Sequence, residues 1–167
     1  MKIAICSDSH DNMPNITKFL SYCKEQEIKT MIHCGDVTED ETKQFFINNF
    51  KGKIHFAEGN ADIGEQQKQK RTNRFQKIKY GPVPFLDLIL DNIKIAACHK
   101  KDKAKRLAAS KSYNIVFYGH SHKPWLEKIE NTHVVNPGNL AGMFHRATFA
   151  VYDTVGKKME LKLLEKL

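Results

Sequence analysis

The sequence has no apolar run near the roughly 18 residues a membrane-spanning helix needs. Its opening Met1-Lys2-Ile3-Ala4-Ile5-Cys6 turns polar at Ser7-Asp8, too soon for the core of a signal peptide. Cysteine is sparse: Cys6, Cys23, Cys34 and Cys98 form no Cys-x-x-Cys pair and no dense disulfide spacing. Reduced thiols in a cytoplasmic protein are the expectation. No Pro- or Gly-rich linker, low-complexity tract or sequence repeat interrupts the chain. Acid is in deficit, with 19 Asp+Glu against 27 Lys+Arg and a formal charge of +8 over 167 residues. Such an excess attracts anions, among them nucleic acid and phosphorylated small molecules, but it does not define a fold. Hydrophobic residues at 41% are enough for a core and too many for a disordered chain. Membrane, secreted, collagenous and disordered classes are set aside, and the length predicts a single domain over 1–167.

Within the chain, apolar runs alternate with amphipathic ones. Residues 2–7 read as a buried strand that ends at the polar loop 8–12. Asn15 is placed to cap a helix in which Ile16, Phe19, Leu20 and Cys23 share one face. A second strand, 30–34, ends at Gly35-Asp36, and Thr38 with Glu41 fits a capping box for a helix presenting Phe45 and Phe46. A third strand, 54–58, ends at Gly59-Asn60. This alternation predicts crossover connections and a parallel sheet in an α/β fold. Residues 85–90 and 93–98 around Asp91-Asn92 read as a hairpin running into His99. A basic helix over about 102–111 and a strand over 114–118 follow, and further strands are expected at 126–129, 133–135, 147–153 and 159–163. The lysine-rich segment 65–79 is expected to be a loop.

Metal-ligand residue types collect where these strands end. Asp8 and His10 follow the first strand, Asp36 the second and Asn60 the third; His99 follows the hairpin, and His120 and His122 follow the 114–118 strand. Ligands of open α/β sheets bind beyond the carboxyl ends of the strands. Asp-x-His and His-x-His put both side chains of a pair on one side of an extended segment. Glycines before Asp36, Asn60 and His120 allow tight turns and close backbone approach. Seven oxygen and nitrogen donors exceed the need of one ion and suit two divalent ions sharing a carboxylate, an arrangement that acts on phosphate esters. The absence of thiolates from the set argues against a structural Cys-rich zinc site and favours manganese, iron, zinc or magnesium. Manganese is the expected ion, with zinc, iron, nickel or magnesium as alternatives.

The ordered set Asp8-Ser9-His10, Gly35-Asp36, Gly59-Asn60, His99 and Gly119-His120-Ser121-His122 resembles the calcineurin-like metallophosphoesterase superfamily. Chain length and Asn136-Pro137-Gly138 make it most similar to the small single-domain phosphodiesterases of bacteria and archaea. The resemblance runs from residue 1 to about 153 and implies a two-sheet β sandwich flanked by helices. It also implies that Asp8, His10, Asp36 and His122 hold one ion. Asp36, Asn60, His99 and His120 would hold the other, so that Asp36 bridges. Two departures stand out. Many members carry a His general acid directly after the Asn, where this chain has Ala61, and the C-terminal motif commonly ends in Ser, where this chain has Asn139.

The expected activity is hydrolysis of small phosphodiesters, in which two ions acidify a bridging water that attacks phosphorus in line. His10, His99 and Asn60 would stabilise charge on the phosphoryl oxygens. The proton donor for the leaving group is left open between water and Asp62 acting through water. The alternatives are a nuclease with the same centre and a catalytically silent metal-binding scaffold. The expected partner is a small anionic phosphoester, ahead of nucleic acid; no membrane is involved, and a homo-oligomer is compatible. His33, His55, His133 and His145 read as structural, with substrate contact by His145 and Arg146, after the Asn-Pro-Gly turn, as the alternative. Cys6, Cys34 and Cys98 read as strand-end packing, and Trp125 as packing before pocket wall. The basic segments 68–79 and 100–106 either form solvated faces or rim the site.

Overall fold

The computed structural model describes residues 1–62 and 85–167. The lysine-rich segment 65–79, with its share of the basic clusters, lies outside the described residues. Strands β1 (Lys2–Cys6), β2 (Thr30–His33) and β3 (Lys53–Phe56) alternate with helices α1 (Met13–Glu25) and α2 (Asp40–Asn49). The hairpin β4 (Leu86–Leu90) and β5 (Ile93–Ala97) leads into α3 (Lys101–Ala109) and β6 (Ile115–Phe117). Strands β7 (Trp125–Ile129), β8 (Thr132–Asn136), β9 (Thr148–Asp153) and β10 (Lys158–Leu163) complete the order, followed by a short 3-10 turn at Leu164–Lys166.

The strands form two five-stranded sheets, ordered β10-β9-β1-β2-β3 and β4-β5-β6-β8-β7. In the first, parallel β1-β2-β3 run out to one edge and antiparallel β9 and β10 lie beyond β1; in the second, parallel β5-β6-β8 are flanked by antiparallel β4 and β7. The expected two-sheet sandwich flanked by helices is therefore present. Its layering follows from strand alternation. On β1, Ile3 and Ile5 point into the slab between the sheets with Ile32, Ile95, Ile115, Phe117 and Val135. Ala4 and Cys6 point the other way, against Phe19, Leu20, Cys23 and Phe46 of α1 and α2. Across the sandwich, Ala104 and Ala108 seat α3 on Val116, Tyr118 and Val134. A strand buried on both faces reads as an unbroken apolar run, as β1 and β2 do. All four cysteines are buried free thiols, and burial pushes Cys23 and Cys98 up to about 12, so packing is their role.

Two helix starts differ from expectation. The cap of α1 is Asn12, whose side chain accepts the Asn15 N–H at 3.2 Å; Pro14 occupies the first turn. Asn15, inside the helix, instead donates to the Leu140 carbonyl at 2.9 Å. Helix α2 starts at Asp40 without a side-chain cap, so the Thr38–Glu41 capping box does not form. Thr38 is held in a left-handed conformation (φ 67°) with its N–H directed to Asp62, which draws it out of the cap position.

Candidate metal centre

The carboxyl ends of β1, β2, β3, β5 and β6 meet at one edge of the sandwich, and backbone bonds between loops lock them together. Asp8 N–H donates to the Gly35 carbonyl (3.0 Å), while Ser9 and His10 N–H both donate to the Asp36 carbonyl (3.1 and 3.2 Å). Gly119 N–H donates to the His99 carbonyl (3.1 Å), and His120 N–H reaches the Asp8 carboxylate (3.0 Å). The glycines make these approaches feasible. A Cβ on Gly35, whose φ is +102°, would lie 2.7 Å from Gly59 Cα; one on Gly119 would lie 2.6 Å from Asp8 Oδ2.

Five of the seven expected ligand residues have left-handed backbones: Asp8 (φ 50°), His10 (38°), Asp36 (61°), His120 (69°) and His122 (56°). Asp and His tolerate this region better than most residues, yet each instance costs of the order of 1 kcal/mol. Strain gathered on the polar ends of otherwise regular strands is a mark of a functional site.

All seven side chains converge. Asp8, His10 and His122 bring ligand atoms within 4.8 Å of one another, and so do Asp36, His99 and His120. In the first group His10 Nε2 lies 3.3 Å from His122 Nε2, which is 3.3 Å from Asp8 Oδ1. In the second, His99 Nε2 lies 3.0 Å from Asn60 Oδ1, 3.1 Å from His120 Nδ1 and 3.3 Å from Asp36 Oδ2. The groups meet at Asp36, whose Oδ2 is also 3.8 Å from His10 Nε2. Its other oxygen, Oδ1, is turned away to accept the Ala61 N–H at 2.8 Å.

The tautomer of His99 shows what this crowding is suited to. Its Nδ1 faces the Cys34 carbonyl at 2.9 Å, which can only accept, so Nδ1 carries the proton. In the neutral ring Nε2 then presents a lone pair to an amide oxygen, a carboxylate oxygen and a second imidazole. Such a gathering of acceptors repels itself unless a cation lies among them. Electrostatics agree with this. Burial pulls the His99 pKa down, but its bond to Asp36 and the charge of Asp8 carry it upward overall. Burial likewise works to raise the pKa of Asp36, yet His99, the Ala61 N–H and His10 bring it down to about 2. Both shifts report a field that favours positive charge, and these residues fit divalent metal.

Residues 1–157 match the family model of the calcineurin-like phosphoesterase superfamily domain. The chain belongs to that superfamily. It is a hydrolase acting on phosphoester bonds, and its family is metal-dependent. It is 32% identical to the phosphodiesterase MJ0936 of Methanocaldococcus jannaschii, over 99% of this chain and 100% of that one. Among solved structures it is similar to an archaeal phosphodiesterase, with a TM-score of 0.82, 28% identity and coverage of 98% and 99% of the two chains. A Vps29 of Entamoeba histolytica solved with zinc shares the fold at a TM-score of 0.67 and 14% identity, covering 97% of each chain. Among the described residues no helix is long and apolar enough to cross a membrane.

Around the centre of this phosphoesterase lie supports that the motifs do not contain. Asp62, named above as a candidate proton donor, is buried, and both its oxygens are taken. They accept the N–H groups of Asp36 (2.9 Å), Val37 (3.0 Å), Thr38 (3.1 Å) and Gly59 (2.9 Å), with Lys43 Nζ at 3.6 Å. It clasps the Asp36 loop to the Asn60 loop, and that role removes it from proton donation. His33 is structural, as expected: its Nδ1 accepts the Gly35 N–H (3.2 Å), so Nε2 carries the proton toward Ser9 Oγ (3.1 Å). Asn136 donates to the Gly119 carbonyl and to Ser121 Oγ, both at 3.0 Å. Asn139 donates to the His122 carbonyl at 3.0 Å, so the amide that ends β8 and the one three residues beyond it fix the His120–His122 turn. The Asn-Pro-Gly sequence was the available signal for Asn136; Asp62 had none beyond its nearness to Asn60. Arg146 is paired with Glu165 at 2.9 Å on the surface, and Trp125 carries the Lys101 ammonium 5.6 Å above its ring.

Proposed function

We propose that this chain, acting as one cytoplasmic domain, hydrolyses small phosphodiesters at a dinuclear centre. Asp8, His10, Asp36 and His122 would hold one ion and Asp36, Asn60, His99 and His120 the other. The observation that carries the reading is Asp36: Oδ1 is occupied by a backbone N–H, which leaves Oδ2 alone between the two groups, 3.3 Å from His99 Nε2 and 3.8 Å from His10 Nε2. Bound there, two divalent ions supply Lewis acidity toward phosphoryl oxygens and activate water for in-line attack. Manganese is the first candidate, and zinc, iron, nickel and magnesium satisfy the same donor set.

The protein's own contribution is preorganisation. The Cys34 carbonyl fixes the donor face of His99, and the Asp62 clasp holds Asp36 and Asn60 in register. Ala61 stands where many relatives have an acid, and Asp62 is engaged, so the leaving group takes its proton from solvent. Esters with acidic leaving groups are therefore the better substrates. The test is reconstitution of chelated protein with Mn²⁺, followed by metal analysis and turnover of bis(p-nitrophenyl) phosphate and p-nitrophenyl phosphate. About two ions per chain and preference for the diester are expected. Binding of no more than one ion after reconstitution would contradict the dinuclear reading.

A further inference from the structure

An aromatic side chain stands beside this centre with no structural task. Phe144 is 86% exposed, and its ring centroid lies 5.6 Å from that of His122, tilted by 54°. Its backbone is left-handed, with φ 64°, a strained conformation for a bulky residue. An exposed ring in a strained conformation gains nothing for folding from either property. The turn that carries it is nevertheless tightly held. Asn139 Oδ1 accepts the Met143 N–H at 2.8 Å, and its amide donates to the His122 carbonyl at 3.0 Å. The His145 N–H closes on the Met143 carbonyl at 2.8 Å. Upstream, the Ala141 N–H donates to the Asp8 carbonyl at 3.0 Å, and Asn12 donates to the Ala141 carbonyl at 2.8 Å. The turn is thus anchored to the backbone of two residues of the centre, one in each sheet's loops.

We propose that Phe144 is the stacking platform for a flat aromatic group of the substrate, a nucleobase by its chemistry, and that it gives this site preference for small nucleotides. The inference rests on the phosphodiesterase reading of the same centre. A nucleobase is separated from its phosphate by one ribose, and a ring bordering His122 is placed for a base whose phosphate reaches the ligand cluster. Stacking on an aromatic ring tolerates any base, because every base offers a π face. Trp125 is a poorer platform, since Lys101 already lies over its ring; among the described residues no cation lies over Phe144. One platform receives one base, which suits a mononucleotide or dinucleotide better than a polymer. Asn139, in the place where the family commonly has Ser, is what ties this turn to His122.

The experiment compares binding of adenosine 5′-monophosphate and ribose 5-phosphate to Mn²⁺-loaded protein by calorimetry. The two ligands share phosphate and sugar and differ by the base. The wild-type chain should bind the nucleotide tighter, by about 5- to 150-fold for one stacked base. Phe144→Ala should abolish that preference while leaving ribose 5-phosphate affinity and metal content within twofold, and Phe144→Tyr should retain it. Because the ring is exposed, the variant is expected to fold, and its unchanged metal content shows that it has. No preference in the wild type would overturn the inference. So would a preference that survives Phe144→Ala, or a loss equal for both ligands. Turnover of bis(p-nitrophenyl) phosphate, measured in parallel, reports the underlying reading separately. If the wild type shows base preference without turnover, the phosphodiesterase reading fails and the stacking site stands.

Discussion

The slab between the two sheets and the loop edge at their carboxyl ends are made by the same strands under opposite rules. In the slab, Ile5, Ile32, Ile95 and Phe117 are fully buried apolar side chains on regular backbone. What the slab requires is volume and polarity, so many sequences would satisfy it. At the edge, in the loop just beyond β1, Asp8 and His10 are polar, crowded by other acceptors and left-handed. Under the proposed function each residue type there is demanded by chemistry, and the fold bears the cost. The slab supplies the stability that the edge consumes, and the two should therefore respond differently to substitution.

The largest response is expected at Asp36, the residue between the two ligand groups. Asp36→Asn keeps the shape and the contact with the Ala61 N–H but removes the shared charge. Steady-state turnover should fall by at least about 10²-fold, more than for Asn60→Ala or His122→Ala, with fewer ions retained on metal analysis. Near-normal turnover would break the distinction between edge and slab at its strongest point.

Asp62 tests whether the edge is held by a dedicated device. Its carboxylate satisfies four backbone N–H groups at once. Asp62→Asn replaces one acceptor oxygen by an NH₂ facing donors and should cost about 2 kcal/mol in urea unfolding. It should also weaken metal binding, because the Asp36 and Asn60 loops lose their shared anchor.

How far the edge could be read in advance differs residue by residue. The convergence of Asp8, His10, Asp36, Asn60, His99, His120 and His122 was legible because strand ends in an α/β sheet point to one place. The sandwich itself was legible through resemblance more than through periodicity, since apolar runs such as residues 30–34 do not say which sheet they join. Asp62 was not legible as a clasp, because a carboxylate that accepts backbone N–H groups looks in sequence like any other acid near a loop. Nor was Phe144, one of ten phenylalanines with nothing local to mark it as exposed. Asn12 takes the cap expected of Asn15 because the distant Leu140 carbonyl engages the Asn15 side chain.

In the slab, Ile32→Val should cost about 1 kcal/mol by removing one buried methylene. Turnover per folded molecule should remain within twofold, since the β2 backbone and its register with β1 and β3 are unaffected. A change in turnover comparable to that of Asp36→Asn would show that slab packing tunes the edge directly.

The smallest effect expected joins the edge to the helix-side core, across the sheet from the slab, through His33. It sits on β2 against Phe46 and Phe56, yet bonds the Gly35 N–H and Ser9 of the edge loops. Burial holds its pKa down at about 3; Asp62 opposes that and Lys43 adds to it. The folded protein therefore keeps His33 neutral, while the unfolded chain takes up a proton below pH 6.5. The unfolded state then binds more protons, and stability must fall as the pH falls from 6.5 toward 3. Between pH 7 and pH 6 this one group should remove about 0.7 kcal/mol, rising to about 1.4 kcal/mol per unit at lower pH. His33→Asn preserves an acceptor for the Gly35 N–H but cannot titrate. Urea unfolding of chelated wild type and variant at pH 7 and pH 6 should thus differ in slope by that amount. Equal slopes would mean that His33 takes up its proton alike in the folded and unfolded states, and the coupling between helix-side core and edge would have to run through another residue.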